Sequence, residues 1–302
     1  MDKLHERIRK LKRQRNAVIL VHNYQVEEVQ LIADHLGDSL GLSRIAAEAE
    51  AEVIVFCGVK FMAETAKILS PRKTVLLPRL DAGCPMADMI IVDELRELKS
   101  RHPGATVVTY VNSSAEIKAE SDVCCTSANA VEVVRNVEGE KVIFVPDRNL
   151  GTWAARQVPE KEVILFEGYC YVHDRIRREE VEAARRDYPE AEILIHPEAR
   201  IEVLDLADAV CSTGGMLRHV AESRAREFVV VTEEGLLDRL RREHPDRKFH
   251  SAGRPKICSN MKRTSLQDVA VALESNRYVI RVEAETASRA EVSLRRMLEY
   301  SG

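Results

Sequence analysis

The segment VILVHNYQVEEVQLIADHLGDSLGLSRIAA, residues 18–47, decides the fold because its plan returns twice along the chain. Residues 107–134 read VVTYVNSSAEIKAESDVCCTSANAVEVV, and residues 192–220 read EILIHPEARIEVLDLADAVCSTGGMLRHV. Each copy has a short apolar strand, a polar cluster, a helix, an acidic turn, a hydroxyl residue and another helix. Self-similarity at a fixed period is the signature of a repeated architecture. We therefore predict three copies of one structural unit.

Four kinds of polar residue recur at equivalent positions of the three copies. In chain order the sets are His22, Tyr110 and His196; Tyr24, Asn112 and Glu198; Asp34, Asp122 and Asp208; and Ser39, Ser127 and Thr213. Residues two apart on an extended chain point to the same side. Each unit is therefore expected to offer a pair of polar side chains from the first two sets to one cavity.

The remaining pattern predicts an α/β fold. Each copy is followed by two more apolar strands separated by a helical stretch, which indicates βαβ units and parallel sheets. We predict three repeated αβα three-layer domains with small parallel sheets and pseudo-threefold symmetry around a central active site, because ligands bind at the carboxyl ends of parallel strands. The expected domains are residues 1–83, 84–169 and 170–263. The segment 264–302, with a helix, a short strand YVIRVE and a last helix, is expected to pack back on the first domain.

Composition limits the class of protein. The chain has 302 residues and a formal net charge of -4, so nothing calls for a nucleic-acid partner. The charged N-terminal segment lacks the apolar core of a signal peptide, and no stretch reaches the roughly 20 apolar residues that span a bilayer. We therefore expect a cytoplasmic protein without a membrane partner. Thiols stay reduced there, so the seven cysteines indicate metal binding, catalysis or core packing rather than disulfides.

The cysteines fall into two groups. Four lie at strand ends or in apolar runs, where free cysteine usually behaves as a small hydrophobic residue: Cys57, Cys124, Cys125 and Cys211. The other three close the repeated units in irregular polar settings, 86 and 88 residues apart: Cys84, Cys170 and Cys258. Three thiolates from three units can bind a 4Fe–4S cluster and leave one iron open as a Lewis acid. Spacing alone favours three unrelated structural thiols equally, and a zinc site with water as fourth ligand is a weaker third reading.

The recurring hydroxyl and histidine positions also have two readings. Ser39, Ser127 and Thr213 each stand near the start of a predicted helix, where they could serve only as N-caps. The functional reading is that three helix N-termini attract a ligand with several anionic groups. Histidine suits proton transfer near neutral pH, and its recurrence in register favours a functional role. Rival functions are a non-catalytic iron–sulfur carrier or sensor and, more weakly, an aldolase forming an imine on Lys60.

The motifs taken together resemble those of the quinolinate synthase family over about residues 5–300. The segments that carry the resemblance are HNYQ, IADHLGDSL, FCGVKFMAETAKIL, DAGCPMADM, YVNSSAEIKAESDVCCTSANAV, GYCYVHDRI, HPEA, LADAVCSTGGM and ICSNMKRTSLQDV. The resemblance implies an enzyme of de novo NAD biosynthesis that condenses iminoaspartate with dihydroxyacetone phosphate. The products are quinolinate, phosphate and water, and an iminoaspartate-producing enzyme is the implied protein partner.

The resemblance also implies roles for individual residues. The implied ligands of a central 4Fe–4S cluster are Cys84, Cys170 and Cys258. The implied substrate-binding residues are His22, Ser39, Tyr110, Asn112, Ser127, His196, Glu198 and Thr213. Tyr24, His196 and Glu198 are the expected catalytic residues for proton transfer. The chain departs from some members in having only Cys258 near the last ligand position, without a CxxC pair, which removes a disulfide switch there.

Overall fold

The computed structural model describes residues 2–300. It contains three four-stranded sheets whose strand pairs are all parallel, flanked by helices. The strands are β1 (Ala17–His22), β2 (His35–Gly37), β3 (Val53–Cys57), β4 (Thr74–Leu76), β5 (Thr106–Tyr110), β6 (Val123–Cys125), β7 (Lys141–Val145), β8 (Glu162–Leu165), β9 (Glu192–Ile195), β10 (Ala209–Val210), β11 (Glu227–Val231) and β12 (Lys248–His250). The predicted α/β class with three repeated αβα units is confirmed.

Helices connect and cover these strands. They are α1 (Asp2–Gln14), α2 (Glu27–Gln30), α3 (Ser39–Glu48), α4 (Lys60–Leu69), α5 (Val92–Arg101), α6 (Ala115–Ala119), α7 (Ala130–Asn136), α8 (Arg148–Gln157), α9 (Tyr171–Asp174), α10 (Arg178–Asp187), α11 (Ile201–Leu204), α12 (Thr213–Glu222), α13 (Gly235–Glu243), α14 (Leu266–Ser275) and α15 (Ala284–Glu299). Short 3-10 helices lie at Pro85–Asp88 and Met261–Arg263. No helix of residues 2–300 is long and apolar enough to cross a membrane.

The three sheets share one strand order. It is β2-β1-β3-β4 in the first sheet, β6-β5-β7-β8 in the second and β10-β9-β11-β12 in the third. The central strands are apolar and buried on both faces, as expected of parallel sheets covered by helices. All twelve strands are parallel within their sheets, so the residues that follow the central strands of one sheet emerge at the same edge.

The recurring aspartates make the same contact at the opposite, amino-terminal end of each sheet. The carboxylate of Asp34 accepts a hydrogen bond of 2.8 Å from the backbone N–H of Ile19. Asp122 and Asp208 accept equivalent bonds of 2.8 Å from Val107 and Ile193. Each aspartate therefore satisfies a backbone donor of the neighbouring strand, fifteen residues before it. The aspartate register that repeats in the sequence is thus explained by strand pairing.

Two local expectations need correction. The segments after the acidic turns carry short edge strands, β2, β6 and β10, of two to three residues, where we expected only a turn. The YVIRVE segment does not form a strand: Val279 makes a single antiparallel bridge with Leu76, and the N–H of Ile280 donates to the carbonyl of Val75. Tyr278 has a φ of 61°, which interrupts the extended conformation on this side.

The C-terminal segment contacts two sheets. Helix α14 packs on α1 and β3 of the first sheet, whereas α15 packs on α6 and β6 of the second sheet and on α4. The hydroxyl of Ser293 in α15 donates to the carbonyl of Lys118 in α6, and the Cys124 thiol donates to that hydroxyl. The tail therefore ties the first two units together. The boundaries that we expect at residues 83/84 and 169/170 stay a prediction.

Candidate active site

One cavity collects side chains from all three units. It holds about 750 Å³ of space, part of it open to solvent. Its lining contains every predicted site residue: His22, Tyr24, Ser39, Cys84, Tyr110, Asn112, Ser127, Cys170, His196, Glu198, Thr213 and Cys258. His173 and Glu233 also line it, as do apolar side chains that include Phe61, Met62 and Met86. The loops that follow the first strand of each unit (β1, β5 and β9) and those that follow the last (β4, β8 and β12) therefore converge on one cavity.

The His-x-Tyr and His-x-Glu segments form the same local turn in two units. The Nδ1 of His22 accepts a hydrogen bond of 3.2 Å from the N–H of Tyr24, and the Nδ1 of His196 accepts one of 3.4 Å from the N–H of Glu198. Burial lowers the pKa of both histidines to about 3, so both rings are neutral at pH 7. A neutral ring that accepts at Nδ1 carries its proton at Nε2. Each turn therefore offers an imidazole N–H donor.

Glu198 is the acceptor at the centre of the site. Its Oε1 accepts a hydrogen bond of 2.6 Å from the Tyr110 hydroxyl, and its Oε2 lies 2.6 Å from the Nδ1 of His173 and 3.7 Å from the Nδ1 of His196. Burial opposes ionisation of this carboxyl, but the two histidines and Tyr110 together hold its pKa below the usual value. Glu198 is therefore a buried carboxylate that accepts from Tyr110 and lies against the ring of His173.

The tyrosines stay protonated. Burial and the nearby Glu198 carboxylate raise the pKa of Tyr24 and of Tyr110 well above the usual value. Tyr24 packs edge-on against His22, with ring centroids 4.8 Å apart. Its hydroxyl lies 2.7 Å from the hydroxyl of Thr232. The site thus holds phenol donors and a carboxylate acceptor within one buried cluster.

The hydroxyl residues are not the helix caps that one reading expected. Asp38 caps α3 by accepting from the N–H of Gly41, and Ser212 caps α12 by accepting from the N–H of Gly215. Ser39 and Thr213 are the first residues of these helices. Because the neighbouring residue does the capping, the hydroxyl of Ser39 is left for other partners, and that of Thr213 accepts from the side-chain amide of Asn23 at 2.9 Å.

Ser127 departs from the helix-start expectation altogether. It lies in the turn before α7, three residues ahead of the first helical residue, and Asn129 is the N-cap. Asn112 stands beside this cavity with its side-chain oxygen buried and without a hydrogen-bond partner among residues 2–300. A buried unpaired acceptor is costly unless a ligand satisfies it. The second unit therefore contributes an unpaired acceptor, the side-chain oxygen of Asn112, to which a bound ligand can donate.

Three of the seven cysteines line the cavity. All seven are free thiols, and Cys84, Cys170 and Cys258 are partly buried at the cavity, whereas Cys57 is fully buried in β3. Burial raises the pKa of Cys84 to about 12 and that of Cys170 and Cys258 above the usual value. A metal cation reverses this preference because it binds the thiolate form.

A second donor set overlaps the cysteine set. The Sγ of Cys170, a ring nitrogen of His173 and a carboxylate oxygen of Glu198 lie within 4.8 Å of one another and could hold a metal ion. Cys170 is common to both sets. Any metal assignment at this cavity must therefore distinguish the three-cysteine set from the mixed set.

Sequence comparison places the chain among known proteins. The family described as "Quinolinate synthetase A protein" matches residues 6–299. The chain belongs to this family. It is 50% identical to the quinolinate synthase of Caldicellulosiruptor saccharolyticus over 100% of this chain and 99% of the relative. It is 55% identical to that of Geobacter sp. strain M21 over 96% and 95%, and 51% identical to that of Thermodesulfovibrio yellowstonii over 97% of both.

The structure also shows site residues that the sequence did not single out. Thr232 and Glu233 follow β11 and are buried. Glu233 lines the cavity and contacts Lys262 at 3.0 Å, whereas Thr232 contacts the lining residues Tyr24 and His173. The available signal was the run VVVTEE, in which polar residues directly follow an apolar strand. The equivalent run in the second unit, VIFVPD, ends in Asp147, which is fully buried. Burial there raises the pKa of Asp147, with the Glu198 charge adding to the effect.

Proposed function

We propose that this chain is a quinolinate synthase that condenses iminoaspartate with dihydroxyacetone phosphate and holds a 4Fe–4S cluster on Cys84, Cys170 and Cys258. The observation that carries the proposal is the convergence of three cysteines, from three units, on the cavity that also holds the His, Tyr and Glu pairs. A carrier or sensor would need the cysteines but not those pairs. Family membership supports the same activity.

The donor set fits the cluster. Three free, partly buried thiols meet at one cavity, and thiolates are the ligands that hold iron–sulfur clusters. When bound, a cluster with three protein ligands supplies one open iron, which acts as a Lewis acid toward a substrate oxygen.

The residues around the thiols suit the anionic substrates. Iminoaspartate carries two carboxylates and the triose carries a phosphate, so the cavity must hold three anionic groups. The Nε2–H groups of His22 and His196 are donors, as are the hydroxyls of Ser39 and Ser127. The ten-residue helices α3 and α12 begin at the cavity, where the first-turn N–H groups that Asp38 and Ser212 leave uncapped favour anions. The Asp38 carboxylate lines the cavity at the start of α3 and acts against them.

Condensation and dehydration require protons to be taken and returned. Glu198 is ionised and buried, so it is in the protonation state that accepts a proton from substrate carbon or nitrogen. Tyr24 retains its proton, so it is in the protonation state that donates to a leaving hydroxyl. His196 stacks on His173 with ring centroids 4.6 Å apart and holds its Nε2–H as a hydrogen-bond donor. These assignments make Glu198 the base and Tyr24 the acid of the site.

The test is anaerobic reconstitution with iron and sulfide, followed by measurement of bound iron and of quinolinate formed from the two substrates. We expect about four irons per chain and quinolinate formation. Alanine variants of the three cysteines should each lose iron and activity, while Cys57→Ala, which removes a buried thiol of β3, should keep both.

Two outcomes would contradict the proposal. Iron binding without quinolinate formation would favour a carrier. Loss of metal in His173→Ala but retention in Cys84→Ala and Cys258→Ala would place the metal on the mixed set with Cys170. Glu198→Gln should keep the iron and lose turnover, and full turnover in this variant would remove Glu198 as the base.

A further inference from the structure

We propose that Lys118 is a positioning residue that holds the cavity loop of the second unit, residues 111–114, and with it the side chain of Asn112. The kinetic part of this inference rests on the proposed function, whereas the structural part rests on geometry alone. Lys118 lies in α6 and is 0% exposed. Lysine is almost never fully buried without a partner, so its contacts indicate what it does.

The amino group of Lys118 contacts a backbone carbonyl and an aromatic ring. Its Nζ donates to the carbonyl of Ser113 and lies 5.5 Å from the centroid of the Phe61 ring, which belongs to the first unit and lines the cavity. Burial lowers the pKa of Lys118, but the ammonium and the neutral amine both carry N–H groups that donate. The side chain is therefore placed as a hydrogen-bond donor to the loop.

The loop of residues 111–114 is fixed at both ends by other groups. At the end of β5, the N–H of Val111 donates to the carbonyl of Cys125 at 2.9 Å. At the start of α6, the hydroxyl of Ser114 accepts from the N–H of Ile117 at 3.3 Å. The two residues between these ends, Asn112 and Ser113, therefore form the part of the loop that needs a separate support.

The side chains of these two residues do not supply that support. The side-chain oxygen of Asn112 and the hydroxyl oxygen of Ser113 are both buried without a hydrogen-bond partner among residues 2–300. The bond from Lys118 to the carbonyl of Ser113 fixes the peptide that follows Asn112. The direction in which the Asn112 oxygen points into the cavity therefore depends on Lys118.

Lys118→Met is the first test, because methionine keeps a flexible unbranched side chain and has no N–H group. In the reconstituted enzyme, KM should rise about 3- to 10-fold for at least one substrate, as expected for the loss of about one hydrogen bond to the ligand. The value of kcat should change by less than about twofold, since Asn112 is proposed to bind substrate and not to react with it. An unchanged KM for both substrates would overturn the proposal.

Lys67→Met is the matched control. The Nζ of Lys67 also donates to backbone carbonyls, those of Pro71 and Lys73, both at 2.8 Å. None of these three residues lines the cavity. This variant therefore removes the same kind of bond from a loop outside the site, and its KM and kcat should equal those of the parent.

A double-mutant cycle tests whether Lys118 acts through Asn112. If it does, adding Lys118→Met to Asn112→Ala should raise KM by less than about twofold, because the group that Lys118 positions is already absent. Independent effects would multiply instead. Multiplied effects would overturn the positioning role, since they would show that Lys118 influences KM by another route.

A measurement on the parent decides the case in which Lys118→Met does not fold. In protein with 15N-labelled lysine, the buried amino group of Lys118 should give a slowly exchanging resonance, identified by its contact with the Phe61 ring protons. Saturating quinolinate should shift this resonance, because the bonded carbonyl of Ser113 adjoins Asn112. A resonance that quinolinate leaves unmoved would overturn the proposal.

Hydrogen exchange tests the structural part without turnover. In Lys118→Met, with or without iron, the amides of residues 111–114 should exchange about 3- to 10-fold faster than in the parent, and those of β7 in the same sheet should not. Equal exchange of the loop in the two proteins would overturn the proposal. Absence of quinolinate synthesis in the parent, by contrast, would defeat the proposed function and leave this measurement to decide the role of Lys118.

Discussion

Replacement of Lys262 by methionine would test how the cavity stabilises a buried carboxylate. Glu233 is fully buried and accepts hydrogen bonds from the N–H groups of Cys258 at 3.0 Å and Gly235 at 2.7 Å. Lys262 supplies its counter-charge at 3.0 Å and also donates to the carbonyl of Tyr24. In Lys262→Met the carboxylate keeps the two backbone donors and loses the charge.

The expected cost follows from burial of the pair. Removal of one partner of a buried ion pair costs about 3–5 kcal/mol, and we expect about 3 kcal/mol because the Lys262 side chain is 20% exposed. For a chain of this size, that corresponds to a fall in Tm of about 5 °C. The matched control is Lys60→Met, since Lys60 pairs with Glu64 at 3.4 Å but is 56% exposed. Such pairs contribute about 0.5 kcal/mol or less.

The loss of Tm in Lys262→Met is expected to depend on pH. Burial raises the pKa of Glu233 despite Lys262, so the folded state binds this proton more tightly than the unfolded chain does. The resulting stability is present below the unfolded pKa of about 4.5 and is lost as the pH rises through the folded pKa. Loss of Lys262 raises that pKa further. The difference in Tm between Lys262→Met and the parent should therefore be larger at pH 8 than at pH 5.

Scanning calorimetry of the iron-free protein at these two pH values, with the double variant Lys262→Met/Glu233→Gln alongside, measures this difference. The double variant should recover part of the lost Tm, because an amide has no charge to bury. A difference that is the same at both pH values, or no larger than that of Lys60→Met, would refute the reasoning.

Two further predictions concern stability. Gly235→Ala should lower the free energy of unfolding by about 1–3 kcal/mol, because a Cβ there would lie 2.7 Å from the Nζ of Lys262 and 2.9 Å from the carbonyl oxygen of Gln25. Gly83→Ala, where nothing lies within 4 Å of the new Cβ, should change it little in the same denaturant titration. His196 has a pKa lowered to about 3 by burial, so its contribution to stability is present above pH 6.5 and is lost as the pH falls toward 3. Between pH 7 and pH 5, the stability lost through this group amounts to about 2 kcal/mol. In His196→Asn, the fall in the free energy of unfolding between pH 7 and pH 5 should be smaller than in the parent by this amount. An equal fall in the two proteins would be evidence against a neutral buried ring.

The fold could be predicted because one sequence pattern repeats three times, whereas the shortest strands could not be predicted. Apolar runs such as VILVH and VIFV are long enough to show a buried strand. The edge strands β2, β6 and β10 have only two to three residues, too few to show any periodicity. They are formed by backbone pairing with β1, β5 and β9, and the preceding aspartate adds a bond to the same strand. Conversely, YVIRVE has a strand-like composition, but the left-handed conformation of Tyr278 limits it to one bridge.

The site was predictable where it repeats and not where it depends on contacts between units. His22, Tyr110 and His196 could be found because they occupy one register of the repeat. Thr232 and Lys262 occupy no such register. Their roles come from which loops of different units meet: Thr232 meets Tyr24 across 208 residues of sequence, and Lys262 meets it across 238. No local sequence pattern indicates a contact between residues so far apart in the chain.

The difference in residue type at equivalent positions creates the chemistry of the cavity. The second polar position of the repeat is Tyr24 in the first unit, Asn112 in the second and Glu198 in the third. A carboxylate at all three would place like charges together in a buried cavity, which is costly. With a single carboxylate at these three positions, the hydrogen bond from Tyr110 and the nearby His173 and His196 hold the pKa of Glu198 below its usual value despite burial. The imidazole N–H and phenol groups of the cavity also suit the proposed substrates, which carry three anionic groups. Replacing Asn112 by aspartate would add a further negative charge to this cavity, which Asp38, Glu198 and Glu233 already line, and should therefore weaken substrate binding more than Asn112→Ala, which only removes a group.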